Sequence, residues 1–364
     1  MNRSIIKIID RYMFSEFLLY FFAGVMVFII FIMGNTVLFQ LMDFIIEKKV
    51  PFAVFMKILL YMLPAMCVLA FPLATLFSAL LAVGRLSRDG EIDVMRTGGI
   101  SVVRILAPFL VMGLLVSAAD FFLIQDVVPR ANRRTSLIWQ QFLLSDVTGR
   151  PMSDVFFKGA GAKFFYIGDV IPASHTVHRV MIYEMQEGKT YPRMITAPTG
   201  VWSKKTLLLM NGKLHQFAGD GHLEYEADFQ SLEMDLERQM EEIMGSYKSP
   251  QEMSIQELKD QITLFKKSGI NTVSLETDMH FKMSIPAASL ICILLGVPLS
   301  IRTGRSGMMV GFVTTVVLVA LYYVLWIINT ALVRQGVLPP FIAAWFQNIL
   351  FLLVGIFLIV RTRK

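Results

Sequence analysis

Apolar residues come in blocks along this chain. Six stretches, roughly 15–42, 53–83, 100–126, 281–301, 308–333 and 338–360, are long and apolar enough to cross a bilayer, which takes about 20 residues in a helix. Three precede and three follow a polar interval, 127–279, the one place where a water-facing domain can fold. There the period changes. In 222–229, Leu223, Tyr225, Ala227 and Phe229 alternate with His222, Glu224, Glu226 and Asp228, as in a strand with one apolar face. The segments 163–170, 179–185, 200–206 and 206–217 read as further strands, and Asn211-Gly212, Glu187-Gly188 and Gly219-Asp220-Gly221 as turns. Short strands at this spacing predict a sandwich or jelly roll. Residues 254–268 predict a helix, with Ser254 as N-cap and Glu257 at the capping-box position. The expected fold is a helical membrane protein of six spans, 3+3, with an inserted all-β jelly roll. Its parts are 1–126, 127–279 with flanking helical linkers, and 280–364.

Composition agrees. Of 364 residues, 55% are hydrophobic and 17% charged, against about 25% charged in soluble domains. The net charge of +6 fits basic cytoplasmic loops better than nucleic-acid binding. Arg85, Arg88, Arg96, Arg302, Arg305 and both basic termini fall on one side of the six spans, against Lys48, Lys49 and Arg334 on the other. That bias predicts cytoplasmic termini and an outward β domain. Cys67 and Cys292 both lie in apolar runs and read as packing residues, not a disulfide framework. The first apolar stretch, 17–41, is too long for a signal-peptide core. Ile5, Ile8, Ile9 and Tyr12 share a helical face, predicting an interfacial helix before span one.

Catalytic chemistry is sought with little result. The sequence has no G-x-x-x-x-G-K-[ST], so no P-loop of its own. Gly159-x-Gly161 reads as a hairpin turn. His175, His178, His215, His222 and His280 have no metal-ligand spacing. No cofactor and no metal are expected. Asp120, near the outer end of span three, is expected to snorkel or to hydrogen-bond between helices. Asn35 and Asn329 read as interhelical hydrogen-bonding groups, and Pro64, Pro72, Pro286 and Pro298 as helix bends. Outside span three, Arg130, Arg133 and Arg134 cluster at the membrane surface. They suit either ordinary lipid phosphates or a phosphorylated anionic lipid headgroup.

The loop 84–99 is short yet dense in charge: Arg88, Asp89, Glu91, Asp93 and Arg96. Leu86, Ile92 and Met95 recur near helical spacing, Ser87 is a candidate N-cap, and Gly98-Gly99 stops the helix. A helix of 86–97 lying along the membrane suits docking into another protein, an ATPase being the natural partner for a chain without a P-loop.

At this point the sequence resembles a known family. FPLATLFSALLAVGRLSRDGEIDVMRTGGIS at 71–101 is similar to the end of span two and the next cytoplasmic helix of the LptF/LptG permeases, the membrane subunits of the lipopolysaccharide-export ABC transporter. DRY at 10–12, VVPRAN at 127–132, HFKMSIPAASLICILLGVPLS at 280–300 and GVLPPFIAAWFQNIL at 336–350 continue the resemblance. It implies a second LptF/LptG-type permease subunit, an LptB-like ATPase dimer beneath them, and LptC/LptA-like jelly-roll proteins that receive the lipopolysaccharide. It makes 86–97 the coupling helix, with Arg88, Asp89, Glu91 and Arg96 as coupling residues and Glu91 as the family's acidic position. It implies lipid entry between the first and fifth spans of facing subunits, and a jelly roll whose inward Leu223, Tyr225 and Phe229 line the conduit. Some members carry a lysine in span one; here 17–41 has no basic residue, so a first-span phosphate contact is not expected from this chain. The expected function is transport at the bacterial inner membrane, not enzymatic activity. The alternatives are a membrane-anchored enzyme acting on lipid-linked substrates and a periplasmic scaffold, both working through the β domain.

Overall fold

The structure, a computed structural model, describes residues 3–36, 51–144, 152–158, 163–171, 174–184, 191–203, 206–218, 222–236, 248–267, 272–303 and 307–362. Lys48, Lys49, Gly159, Gly161 and the Glu187-Gly188 and Gly219-Asp220-Gly221 pairings lie outside them. The chain divides into two compact units. One comprises Met1–Asn132, Pro250–Lys266 and Asn271–Lys364, the other Arg133–Ser249 with Lys267–Ile270.

The helices are α1 (Arg3–Thr36), α2 (Phe52–Arg88), α3 (Glu91–Thr97), α4 (Val102–Phe122), α5 (Val128–Leu144), α6 (Ile255–Lys267), α7 (Val273–Thr303), α8 (Gly307–Arg334) and α9 (Pro340–Thr362). Among the described residues, six helical segments are long and apolar enough to cross a membrane, three before the strands and three after. No break separates the N-terminal turns of α1 from its apolar length. A π-helical turn, Leu123–Val127, joins α4 to α5.

The helices differ sharply in burial. In the apolar windows, 78% of residues are buried in α2 and 67% in α7, but only 17% in α1 and 11% in α8. Thus α2 and α7 form the centre, and α1 and α8 flank α2. Phe77 of α2 meets Phe28 of α1 and Phe312 of α8 edge-on, with centroids at 6.2 and 6.3 Å. Lipid is as apolar as leucine, so close approach and polar contacts hold such helices together. A Cβ on Gly355 would come within 2.8 Å of the Leu294 carbonyl oxygen, so α9 and α7 touch nearly backbone to backbone. Ser78 Oγ donates to the Phe17 carbonyl (2.6 Å), Ser300 Oγ to Leu80 (2.9 Å) and Asn348 Nδ2 to Ser284 (2.6 Å). Asn329 behaves as expected, its Nδ2 donating to Gln347 Oε1 of α9 at 3.3 Å; Asn35 is exposed.

In the other unit, β1 (Met152–Lys158), β2 (Lys163–Ile171), β3 (Thr176–Glu184), β4 (Arg193–Ser203), β5 (Thr206–Phe217) and β6 (Leu223–Asp235) form one antiparallel sheet in chain order. The antiparallel all-β character is as expected; the described strands run as a meander, because each connects to its neighbour. A flat strand buries every second residue. Here the interval between core-facing positions becomes three at one place in each of β2 to β6: Ile167 to Val170 (with Gly168 between them also buried), Val177 to Val180, Ala197 to Gly200, Leu209 to Gly212, and Phe229 to Leu232. By register these jumps line up, with Gly168, Arg179, Pro198, Asn211 and Gln230 in one row across the sheet. Arg179 and Asn211 have φ of 55° and 50°, outside the extended region. The row is a crease. The arms on its two sides turn their apolar faces onto one core of Val155, Phe165, Ile167, Val180, Ile195, Trp202, Leu207 and Leu209.

The crease corrects the sequence reading of Asn211-Gly212. It is not a turn but lies inside β5, where left-handed Asn211 supplies the bend. A Cβ on Gly212 would fall 2.1 Å from Phe229 Cζ, so glycine is what lets the Phe229 ring lie over β5. The reading also missed β1, and it stopped β6 at Phe229, where alternation ends because of the crease.

Candidate functional surfaces

α2 and α3 meet at a tight bend. α2 runs through Ser87 to Arg88, so Ser87, buried in that helix, is not the N-cap of a helix over 86–97. Gly90 (φ 78°) N-caps α3 instead, and Glu91 and Asp93 occupy its first turn. Positive φ suits glycine, and carboxylates suit a helix start. The Gly98-Gly99 stop is as expected: Gly99 has φ 86°, and the Ile100 N–H bonds to the Met95 carbonyl at 2.9 Å. Leu86 and Ile92 are fully buried, so α3 is pinned on one side. Its other side presents Asp93, Val94, Arg96 and Thr97 to solvent, Val94 being 71% exposed.

The charges of this loop are engaged with its neighbours. Asp89 receives Arg85 Nε at 3.5 Å and Arg88 Nε at 3.3 Å. Glu91 Oε1 accepts the Tyr12 hydroxyl at 3.0 Å. Arg85 Nη1 lies 2.6 Å from Glu16 Oε1, and Arg104 Nη2 lies 2.7 Å from Asp10 Oδ2. The sequence reading met Asp10 only inside the DRY resemblance at 10–12 and did not single out Glu16 or Arg104. The available signal was a charge placed where an apolar span begins.

Arg130, Arg133 and Arg134 all lie on α5, at a spacing that puts them on one helix face. Arg130 is exposed and 3.7 Å from Asp126. Asp120 departs from expectation. It is completely buried, so it does not snorkel, and neither carboxylate oxygen has a partner among the described residues. The π-helical turn begins three residues later, at Leu123, and within that turn Gln125 Oε1 accepts the Ile255 N–H at 3.1 Å. With Asn132 donating to the Gln251 carbonyl (3.1 Å) and Lys282 Nζ to that of Met253, the segment 250–255 is clasped by α5, α7 and the turn. α6 then starts on the expected capping box, Glu257 N–H to Ser254 Oγ (3.2 Å) and Ser254 N–H to Glu257 Oε2 (2.8 Å).

In the β unit, Phe229 packs on the core, whereas Leu223 and Tyr225 are 50% and 58% exposed. The apolar stripe of β6 therefore runs from the closed core out to an open end. A cavity of ≈ 350 Å³ opens between the arms, lined by Lys163, Glu184, Arg193 and Ile195 on one and by Leu232, Glu233, Met234 and Asp235 on the other. Among the described residues no three His, Cys, Asp or Glu are grouped to hold a metal.

The family model for the lipopolysaccharide export system permease LptF/LptG matches residues 11–361, nearly the whole chain. The chain belongs to the LptF/LptG family. No curated protein matches it. An LptF/LptG chain is a transport component of the lipopolysaccharide-export permease, and six candidate spans among the described residues fit a multi-pass inner-membrane protein.

Proposed function

We propose that this LptF/LptG chain takes lipopolysaccharide laterally from the membrane between α1 and the α8 of a second permease subunit, and passes its acyl chains into the β unit. An LptB-like ATPase docks on the exposed side of α3, with Arg88, Asp89, Glu91 and Arg96 around the contact. The β unit is periplasmic, a jelly roll folded along its crease, and both termini are cytoplasmic. Arg130, Arg133 and Arg134 meet headgroup phosphates, and LptC/LptA-like jelly rolls receive the lipid. The observation that carries this reading is the bareness of the first and fifth candidate spans. Phe31 and Met309 are 75% and 81% exposed, while both helices flank buried α2. The open end of the β6 stripe supports the second half. Acyl chains outside a bilayer lose about 0.8 kcal/mol per CH₂ exposed to water, so the path must be apolar throughout.

Photocrosslinking in the assembled complex tests it. Probes at Phe31, Phe312 and Tyr225 should capture lipopolysaccharide, the last only with ATP. A probe at Glu226, paired with Lys213 on the other face, should not. Equal capture at Tyr225 and Glu226, or none at either span, would overturn the conduit.

A further inference from the structure

Among the described residues, the polar side chains that tie α1 to other elements lie near its start only, although Gly24 and Phe28 further along still pack on α2. From Asp10 to Phe21 it is fixed. Met13, Phe17 and Phe21 are buried, and the Phe17 carbonyl takes a hydrogen bond from Ser78. Three polar side chains reach three different elements: Asp10 to Arg104 at the start of α4, Tyr12 to Glu91 on α3, and Glu16 to Arg85 near the end of α2. From Phe22 onward the helix is largely bare, with Phe22, Met26, Ile30 and Phe31 all more than half exposed. The three partners bracket the 89–101 bend. α3 and α1 meet in the polar contact Tyr12–Glu91, beside the shared apolar core of Met13, Phe17 and Ile92, and a hydrogen bond is directional where apolar packing is not.

We infer that Asp10, Tyr12 and Glu16 are the receiving end of a lever: they are positioning residues that convert movement of α3 into movement of the bare half of α1. This rests on the permease reading above. Glu91 has one oxygen on Tyr12. A cationic group of an ATPase docking at Glu91 competes for that carboxylate, so docking and the hold on α1 are linked at a single side chain. Asp10–Arg104 and Glu16–Arg85 keep the helix in register while the middle contact changes. Glu16 is 7% exposed, with its second oxygen buried and without a partner among the described residues. Such a carboxylate is strongly tied to its one arginine.

The test uses the whole complex, with its ATPase and partner permease, in vesicles containing lipopolysaccharide. Three readouts are taken: ATP hydrolysis, lipid released per ATP, and the distance between nitroxide labels at Ile30 and Val317 with and without trapped nucleotide. Tyr12→Phe removes one hydroxyl and should leave assembly and hydrolysis unchanged. It should lower lipid per ATP about tenfold, the scale of a hydrogen bond to a charged group, and abolish the nucleotide-dependent distance change. Asp10→Arg should do the same, and adding Arg104→Asp should restore both readouts, which a merely structural loss would not allow. If Tyr12→Phe and Asp10→Arg both release lipid normally and their labels still move, the lever is wrong. Glu91→Lys separates the two claims. Loss of ATPase association in Glu91→Lys, together with normal lipid release and label movement in Tyr12→Phe and Asp10→Arg, leaves the permease reading standing and the lever overturned; normal association and export in Glu91→Lys would remove the docking site, and the lever with it.

Discussion

The two units bury opposite things. Among the described residues, every buried polar or charged side chain lies in the helical unit: Thr75, Ser78, Asp120, Ser284 and Ser289 are fully enclosed, Gln347 and Asn348 nearly so. Its large apolar side chains are turned outward, as with Phe31 and Met309. The β unit encloses Val155, Phe165, Ile167, Val177, Val180 and Leu207 and sets its ion pairs on the surface. The difference is solvent. In hydrocarbon, backbone polar groups must be satisfied internally and polar side chains act as interhelical glue; in water, apolar burial drives folding. One chain obeys both rules because its hydrophobic pattern changes period where its surroundings change.

The sharpest way to break this contrast is to delete one aromatic ring from each unit. Phe165 is 1% exposed in the β core. Phe165→Ala should cost about 3–5 kcal/mol, seen as early proteolysis of the β unit in the full chain during a denaturant titration. Phe31→Ala removes a ring that faces outward and should leave the denaturation midpoint where it was. If Phe31→Ala destabilises the chain comparably, α1 is not bare and the lateral opening is wrongly placed.

Glycine replacement sharpens the comparison at a smaller scale. Both units use a missing Cβ for close approach, against different neighbours. In Gly355→Val the new atom meets the Leu294 backbone; in Gly212→Val it meets Phe229 and the Thr196 carbonyl. Overpacking of this kind costs about 1–3 kcal/mol. Gly355→Val should loosen the helical unit alone, and Gly212→Val should open the crease alone, each read by hydrogen exchange of both units in the same sample. Exchange rising in both units for either variant would mean that they do not fold separately.

Much of this was legible in the sequence. Block hydropathy gave the six spans, though not the helical extension of the third, and strand-like segments were read within five of the six strands, β2 to β6, the last from strict alternation. Ser254 and Glu257 announced their capping box, because a cap is a local event. The crease was not legible, since it comes from five residues brought into one row only by pairing, and none of Gly168, Arg179, Pro198, Asn211 or Gln230 signals it alone. Asn211-Gly212 even pointed the wrong way, because left-handed asparagine serves a bend inside a strand as readily as a turn between strands. Of the candidate site, Glu91 and the glycine stop were readable. The contacts of Asp10, Tyr12 and Glu16 were not, since their partners lie 69 to 94 residues away. Ser87 misled because a serine fits an N-cap and a helix interior alike.

The smallest expected effect lies on the water-facing side of the comparison. Lys213 Nζ sits 2.6 Å from Glu226 Oε1 on β5 and β6. The hydrogen bond from Lys213, and then its charge, hold the Glu226 carboxyl below its ordinary 4.5. The same contact raises the Lys213 ammonium above its ordinary 10.5. A depressed acid stabilises the fold above its unfolded value and loses that contribution as pH falls through the folded one. A raised base contributes below its unfolded value and loses it as pH rises through the folded one. Both limbs leave a plateau between about pH 5 and 10. Glu226→Gln should therefore lower the unfolding midpoint of the β unit slightly across that plateau, and the gap from the parent chain should close as pH drops below 4.5. Both groups are solvated, so the gap should also shrink in about 1 M salt, where screening acts within a few ångströms. A gap that persists in acid and in salt would show that Glu226 acts through packing rather than charge, and that the surface of the β unit is less like water than the contrast between the units requires.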